Sequence, residues 1–302
     1  MRRISILLLL AGFCWVLPPL PSVAQTVSGV VVDLKPATLR WYIDKGIHIR
    51  PDQAKAVLFE AVHGGNTQVV ESVLESLNLM YRRIRVGANL LQILNAHDTR
   101  GLTPLGYAAI HGNTGMATAL IKYGADPNGT DNYGNTPVMQ AALHDDPEMV
   151  QLLVNHGALV NYQSATKFEQ FKTLKGSALM AAVQGNSLET AKMLIRLGAD
   201  LDERDDSNMT ALMHAAAGGN STMAGLLTES GANLESRDHL GRTALIFAII
   251  RLQPKTVRLL LEAGADVSAQ DIQRQGPLEY ATATGDTQSQ VLVRRAIARS
   301  QW

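Results

Sequence analysis

Short apolar runs alternate with polar turns along most of this chain, and they do so at a fixed interval. Each cycle opens on a hydroxyl residue, at Thr103, Thr136, Ser177, Thr210 and Thr243, followed by an alanine-rich run such as Ala108-Ala109, Ala141-Ala142 or Ala215-Ala216. A glycine or asparagine turn comes next. A second run then carries aliphatic pairs such as Leu152-Leu153, Met193-Leu194, Leu226-Leu227 and Leu259-Leu260. A Gly-Ala pair closes each cycle 21 residues after its opener, at Gly124, Gly157, Gly198, Gly231 and Gly264, with spacings of 33, 41, 33 and 33 residues. This pattern predicts two helices per cycle. Glycine stops the second helix because it tolerates the left-handed conformation past a helix end. Pro147 and Pro254 stand at predicted helix starts, where no amide donor is needed. Alanine lets neighbouring first helices approach closely, and no single unit can bury its own apolar face, so several must stack.

An aspartate stands five residues before four of the five openers, at Asp98, Asp131, Asp205 and Asp238, and Asp271 stands likewise ahead of Gly276-Pro277-Leu278. The stretch "DTRGLTPLGYAAIHGNTGMATALIKYGADPN" (Asp98 to Asn128) resembles the ankyrin repeat, and "DNYGNTPVMQAALHDDPEMVQLLVNHGALVN" is similar to it again. The resemblance covers residues 51 to 297. It implies an all-α solenoid of paired antiparallel helices with short β-hairpin-like turn tips, about six to seven units long. One departure recurs. Where the family has histidine after Thr-Pro-Leu, this chain has Gly106, Met139, Met180, Met213, Ile246 and Glu279, so the turns are expected to lack that side chain's hydrogen bond.

The expected organisation is a leader (1–24), an N-terminal cap or half repeat (25–50) and a degenerate repeat with an insertion (51–97). Repeats follow at 98–130, 131–162, 163–204 (with an extended tip), 205–237 and 238–270, and a capping repeat at 271–302 ends the array. In the degenerate unit Leu58 precedes its equivalent Leu105 by 47 residues, which places the insertion around Asn78 to Asn95. The last helix carries Arg294, Arg295 and Arg299 on a face expected to be solvated, as a terminal unit requires.

The leader reads as a secretory signal peptide. Arg2 and Arg3 precede an apolar stretch from Ile4 to Leu17, and Ser22-Val23-Ala24 follows as a small-x-small cleavage site. The stretch is shorter than the roughly 20 residues that span a bilayer, and prolines follow at once. Cys14 is the lone cysteine, so cleavage leaves none, and stability must come from stacking rather than disulfides. The expected location is the periplasm, with secretion as the alternative.

Removing Arg2 and Arg3 from 27 basic residues leaves 25 against 27 acidic ones, a net charge of −2. The sequence displays no strongly basic stripe, so nucleic acid is not an expected partner. Nor is insertion into a membrane expected once the leader is gone. The recurring aspartates fall on units stacked about 10 Å apart, too far to share a metal ion. They are expected to bond backbone amides in their own turns. His111 and His144 share one register, but no third ligand is in prospect. No phosphate loop, nucleophile elbow or zinc signature occurs, so no enzyme, cofactor or metal is expected.

Binding is the expected work. The resemblance implies that turn tips and outward positions of the first helices line a groove. The tips carry Arg100, Leu102, Asn132, Tyr133, Asn135, Met209, His239 and Arg242, and the helices carry Tyr107, Gln140, His214, Phe247 and Tyr280. The extended tip adds Tyr162, Phe168 and Phe171 beside Lys167, Lys172 and Lys175. Arg100, Tyr107, Tyr133, Gln140, Phe168, Phe171, His214, His239 and Arg242 are the partner-binding candidates, since aromatics and arginine dominate interface energy. The expectation is a monomer that holds a protein partner. A periplasmic adaptor or stabiliser is the first reading, and a secreted effector acting on a host or competitor protein is the alternative.

Overall fold

A computed structural model describes residues 26–27, 30–31, 36–45, 49–83, 90–162 and 176–300. The leader and the extended-tip candidates Phe168 and Phe171 lie outside the described residues. At the N-terminal end β1 (Thr26–Val27) pairs antiparallel with β2 (Val30–Val31), and α1 (Pro36–Asp44) follows. The rest of the described chain is helical. Seven helix pairs succeed one another: α2 (Pro51–His63) with α3 (Thr67–Arg83), and, after the short α4 (Leu90–Leu94), α5 (Pro104–Ile110) with α6 (Thr114–Lys122). Then come α7 (Pro137–Leu143) with α8 (Pro147–Asn155), α9 (Ala178–Gln184) with α10 (Leu188–Arg196), and α11 (Ala211–Gly218) with α12 (Ser221–Glu229). Last are α13 (Ala244–Ile250) with α14 (Pro254–Glu262) and α15 (Pro277–Ala283) with α16 (Thr287–Ser300). First helices stack on first helices and second on second, giving the all-α solenoid; α1 packs on α3.

Local chemistry sets each boundary. Thr103, Thr136, Ser177 and Thr210 cap their helices by accepting the backbone N–H of Gly106, Met139, Met180 and Met213, the positions that lack the family histidine. At Thr103, Thr136 and Thr210 the hydroxyl, with the turn aspartate, therefore holds the turn without it, whereas Thr243 makes no capping bond. At the far end of the unit Gly124, Gly157, Gly198, Gly231 and Gly264 all take positive φ, between 86° and 101°. The following alanine N–H returns to the carbonyl five residues back, as from Ala125 to Leu120 at 3.0 Å, which satisfies the last turn of the helix. The paired alanines of the first helices, Ala108-Ala109, Ala141-Ala142, Ala181-Ala182 and Ala215-Ala216, are buried.

Side chains rivet unit to unit. Asn128 Oδ1 accepts from the Leu159 N–H at 2.8 Å while its Nδ2 donates to Gly157 O at 3.0 Å. Asn161 repeats the grip on Asp200 N–H and Gly198 O at 2.9 and 3.1 Å. That second rivet spans the longer 41-residue interval, so the stack runs on unbroken across the place where the period is interrupted.

Candidate functional site

The turn aspartates build the face formed by the tips and first helices. Oδ1 of each accepts two backbone N–H groups of its own tip at 2.8–3.0 Å: Arg100 and Leu102 at Asp98, Tyr133 and Asn135 at Asp131, Ser207 and Met209 at Asp205, Leu240 and Arg242 at Asp238, and Gln273 and Gln275 at Asp271. This closes the tip as an Asx turn does.

Oδ2 faces the first helix. It accepts from the residue nine positions on: Gln140 Nε2 at 2.9 Å, His214 Nε2 at 2.8 Å and Tyr280 Oη at 2.6 Å. Phe247 cannot donate, and Arg242 takes its place on Asp238 through Nε and Nη2 at 2.9 and 2.6 Å. The same guanidinium lies 4.6 Å from the Phe247 ring centroid. Arg100 does likewise at the other end, with Nε 3.3 Å from Asp98 Oδ2 and its guanidinium 5.6 Å from the Tyr107 ring centroid.

The electrostatics follow from this geometry. Burial pushes the Asp98 carboxyl upward, but the Leu102 and Arg100 amides and the Arg100 and His63 side chains outweigh it and hold it below its ordinary value. Asp205 is lowered likewise, with burial opposed by His214 and the Met209 amide, and Asp271 by Tyr280 and the Gln275 amide. Tyr280 is pushed up to about 12 by its burial and by the Asp271 carboxylate. Asp98, Asp205 and Asp271 are thus held as buried anions committed to hydrogen bonds.

At the N-terminal end rings line up across two units. Phe59 and His63 are 5.9 Å apart, His63 and Tyr107 5.0 Å, and Tyr107 stacks on His111 at 4.0 Å. His63 Nε2 also lies 3.2 Å from Asp98 Oδ2 and 3.3 Å from Arg100 Nη2. The structure therefore brings Arg100 and Tyr107 together and adds His63, which sequence reasoning missed because the insertion disguises its register.

Other candidates fare differently. Tyr133 and His239 are exposed on their tips, and His239 Nε2 braces the Asp206 carbonyl at 3.1 Å. Gln140 is only 8 % exposed and Phe247 only 6 %, so both support the face from beneath instead of offering contact area, a correction to their reading as groove residues. Asn135 is buried as well, and Tyr162 packs partly buried against the core. Two apolar tip residues went unread: Leu240 and Ile272 are exposed and adjacent, joined by Ile272 N–H to Leu240 O at 3.0 Å. Leu240 sits two residues after its aspartate, as Tyr133 does, and that register was the available signal.

His111 and His144 each place Nδ1 against the carbonyl four residues back, at 3.0 and 2.8 Å. Among the described residues no group of three or more His, Cys, Asp or Glu could hold a metal ion. An open depression of about 420 Å³ lies between α8 and α10, lined by Leu152, Met193 and Pro147 among others, away from the aspartate column.

The family described as "Ankyrin repeats (3 copies)" matches residues 58–164 and 175–271. Among solved structures, the ankyrin repeat domain of Bcl-3, described as a unique member of the IkappaB protein family, is 26% identical with a TM-score of 0.64; the match covers 78% of this chain and 97% of that one. An ankyrin repeat domain from Acinetobacter baumannii AYE is 27% identical at a TM-score of 0.57, covering 64% and 97%. The human ASB11 ankyrin repeat domain, 22% identical at 0.63 with 78% and 96% covered, shares the fold. No curated protein matches by sequence.

Proposed function

Because the chain belongs to the ankyrin-repeat family, whose arrays are protein–protein interaction scaffolds and typically not enzymes, we propose that it is an exported scaffold holding one partner protein in the periplasm as an adaptor or stabiliser. The observation that carries this reading is the aspartate column. Each carboxylate spends one oxygen on its tip and the other on a side chain of the binding face, so the face is ordered before any partner arrives. Preordering lowers the entropic cost of association. The contact centre is Tyr107 with Arg100, extended over the tips by Tyr133, His239 and Arg242. Aromatic and arginine anchors of this kind dominate interface energies.

Export is supported by the charged start, apolar stretch and small-x-small site of residues 1–24. The protein would act as a monomer, without a cofactor. Crosslinking and affinity capture from fractionated cells, with wild type beside Tyr107→Ala/Arg100→Ala, test the whole reading. A dominant envelope partner lost in the variant supports it. A partner set unmoved by the variant rules out this face. Accumulation of the protein in the medium would instead favour a secreted effector.

A further inference from the structure

The second-helix face of the last two units carries a charge distribution the linear sequence conceals. Helices α14 and α16 lie side by side. Lys255 and Arg258 are exposed on the first, Arg294, Arg295 and Arg299 on the second, and Arg251 is exposed at the turn leading into α14. None of these six side chains pairs with a carboxylate among the described residues, and Glu262 is the one acid on the exposed faces of the two helices. Asp286 precedes α16 as Arg251 precedes α14, so six cations less two acids give this face +4. Without Arg2 and Arg3 the chain carries −2, so the remainder of residues 25–302 carries −6. The expectation that no basic stripe exists is corrected here: residues 251 to 299 are scattered in sequence and only stacking gathers them.

We propose that this face docks on an anionic lipid bilayer, by adsorption and without insertion. The buried side of α16, through Ser289 and Val293, is committed to the array, so the helix cannot turn into a membrane. Among the described residues no helix is long and apolar enough to cross one. What faces outward is a rigid two-dimensional field of guanidinium and ammonium groups with apolar residues between them. Val291 is 47 % exposed among the α16 arginines, and Leu252 is 54 % exposed beside Arg251. Basic side chains interspersed with apolar ones suit the headgroup boundary of a bilayer. A nucleic acid would be better served by aromatic rings for base stacking, and neither exposed face carries one. Charge asymmetry also sets orientation: a negative membrane attracts the +4 face and repels the remainder, leaving the face of tips and first helices free. Surplus cations near an anionic surface attract it cumulatively and lose their hold in salt.

The test is co-sedimentation of residues 25–302, the form left after leader removal, with phosphatidylcholine vesicles with and without phosphatidylglycerol. The expected result is salt-reversible sedimentation with the anionic vesicles and none with the neutral ones. Arg294→Gln/Arg295→Gln/Arg299→Gln should weaken it on the order of a hundredfold. The matching triple lysine variant, which keeps the charge, should bind as wild type does. Equal binding to neutral vesicles, an undiminished glutamine variant, or binding of a mixed-sequence oligonucleotide in place of vesicles would each overturn the proposal.

Discussion

His214 Nε2 lies 2.8 Å from Asp205 Oδ2, which joins the tip of one unit to its first helix across nine residues. Both side chains are largely buried, and the Asp205 carboxyl is held below its ordinary value despite the upward push of burial. A carboxylate lowered on folding stabilises above its unfolded value of about 3.9 and loses that contribution as pH falls through the folded value. Asp98 and Asp271 add in the same direction. Wild type should therefore lose stability steeply below about pH 4. Asp205→Ala should cost about 2 kcal/mol at neutral pH, with the gap narrowing in acid. Urea denaturation across pH gives the answer, and a gap that stays constant would sink the argument.

The alkaline limb has its own reporter. Tyr280 donates to Asp271 at 2.6 Å and is pushed up to about 12. A phenol raised on folding contributes stability that is full below its unfolded value of about 10 and is lost as pH climbs toward the folded value. Burial also raises Tyr81 and Tyr123, so ultraviolet titration should show several tyrosines ionising after the exposed ones, Tyr280 among them. Asp271→Asn should lower the number of late phenols by one; an unchanged number would mean burial alone sets Tyr280.

The period, the Gly-Ala helix stops and the tip-closing aspartates were all legible in the sequence, because each depends on neighbours within one turn of chain. What escaped depends on stacking. That Oδ2 reaches nine residues on, that Gln140 and Phe247 sink beneath the face, and that six cations assemble on α14 and α16 all require the second dimension of the array. The candidates Arg100 and Tyr107 were found as separate residues, and only the fold makes them one cluster with His63.

Gly185 shows how tightly the columns approach. A Cβ there would sit 2.1 Å from Leu143 O, a backbone atom in the neighbouring helix that cannot step aside. Its φ of −74° is ordinary, so the glycine is needed for space and not for conformation. Gly185→Ala should cost about 2–3 kcal/mol through overpacking and lower the melting temperature. A neutral outcome would mean α7 and α9 can slide apart freely.

Leu252 presents the opposite case. Its φ is +57° in a turn where five of the other six units place glycine or asparagine, namely Gly65, Gly112, Asn186, Gly219 and Gly285. The left-handed region costs a residue with a Cβ roughly 1 kcal/mol, and this side chain, mostly exposed, recovers little by packing. Leu252→Gly should raise stability by about 1 kcal/mol, read as a higher melting temperature. A loss would show that Leu252 packs more than its exposure implies.

Asp98 and Asp131 occupy the same place in successive units, yet the same substitution should affect them differently. Asp98 is almost wholly covered, at 3 % side-chain exposure, so a partner cannot touch it. Its Oδ2 sits beside Arg100 Nε and His63 Nε2. In Asp98→Asn, Oδ1 can still close the tip, but an amide nitrogen now confronts the guanidinium, which can only donate. Arg100 is released and the cluster with Tyr107 loosens. Asp131 Oδ2 instead meets the amides of Gln140 and Asn135, and the buried Asn135 Oδ1 has no partner. Both amides can flip to accept from the new nitrogen in Asp131→Asn, so that unit should adapt. Partner capture should fall about tenfold for Asp98→Asn and stay near wild type for Asp131→Asn, with similar melting temperatures. Equal losses at both sites would show that the carboxylates serve the fold alone and do not position the binding face.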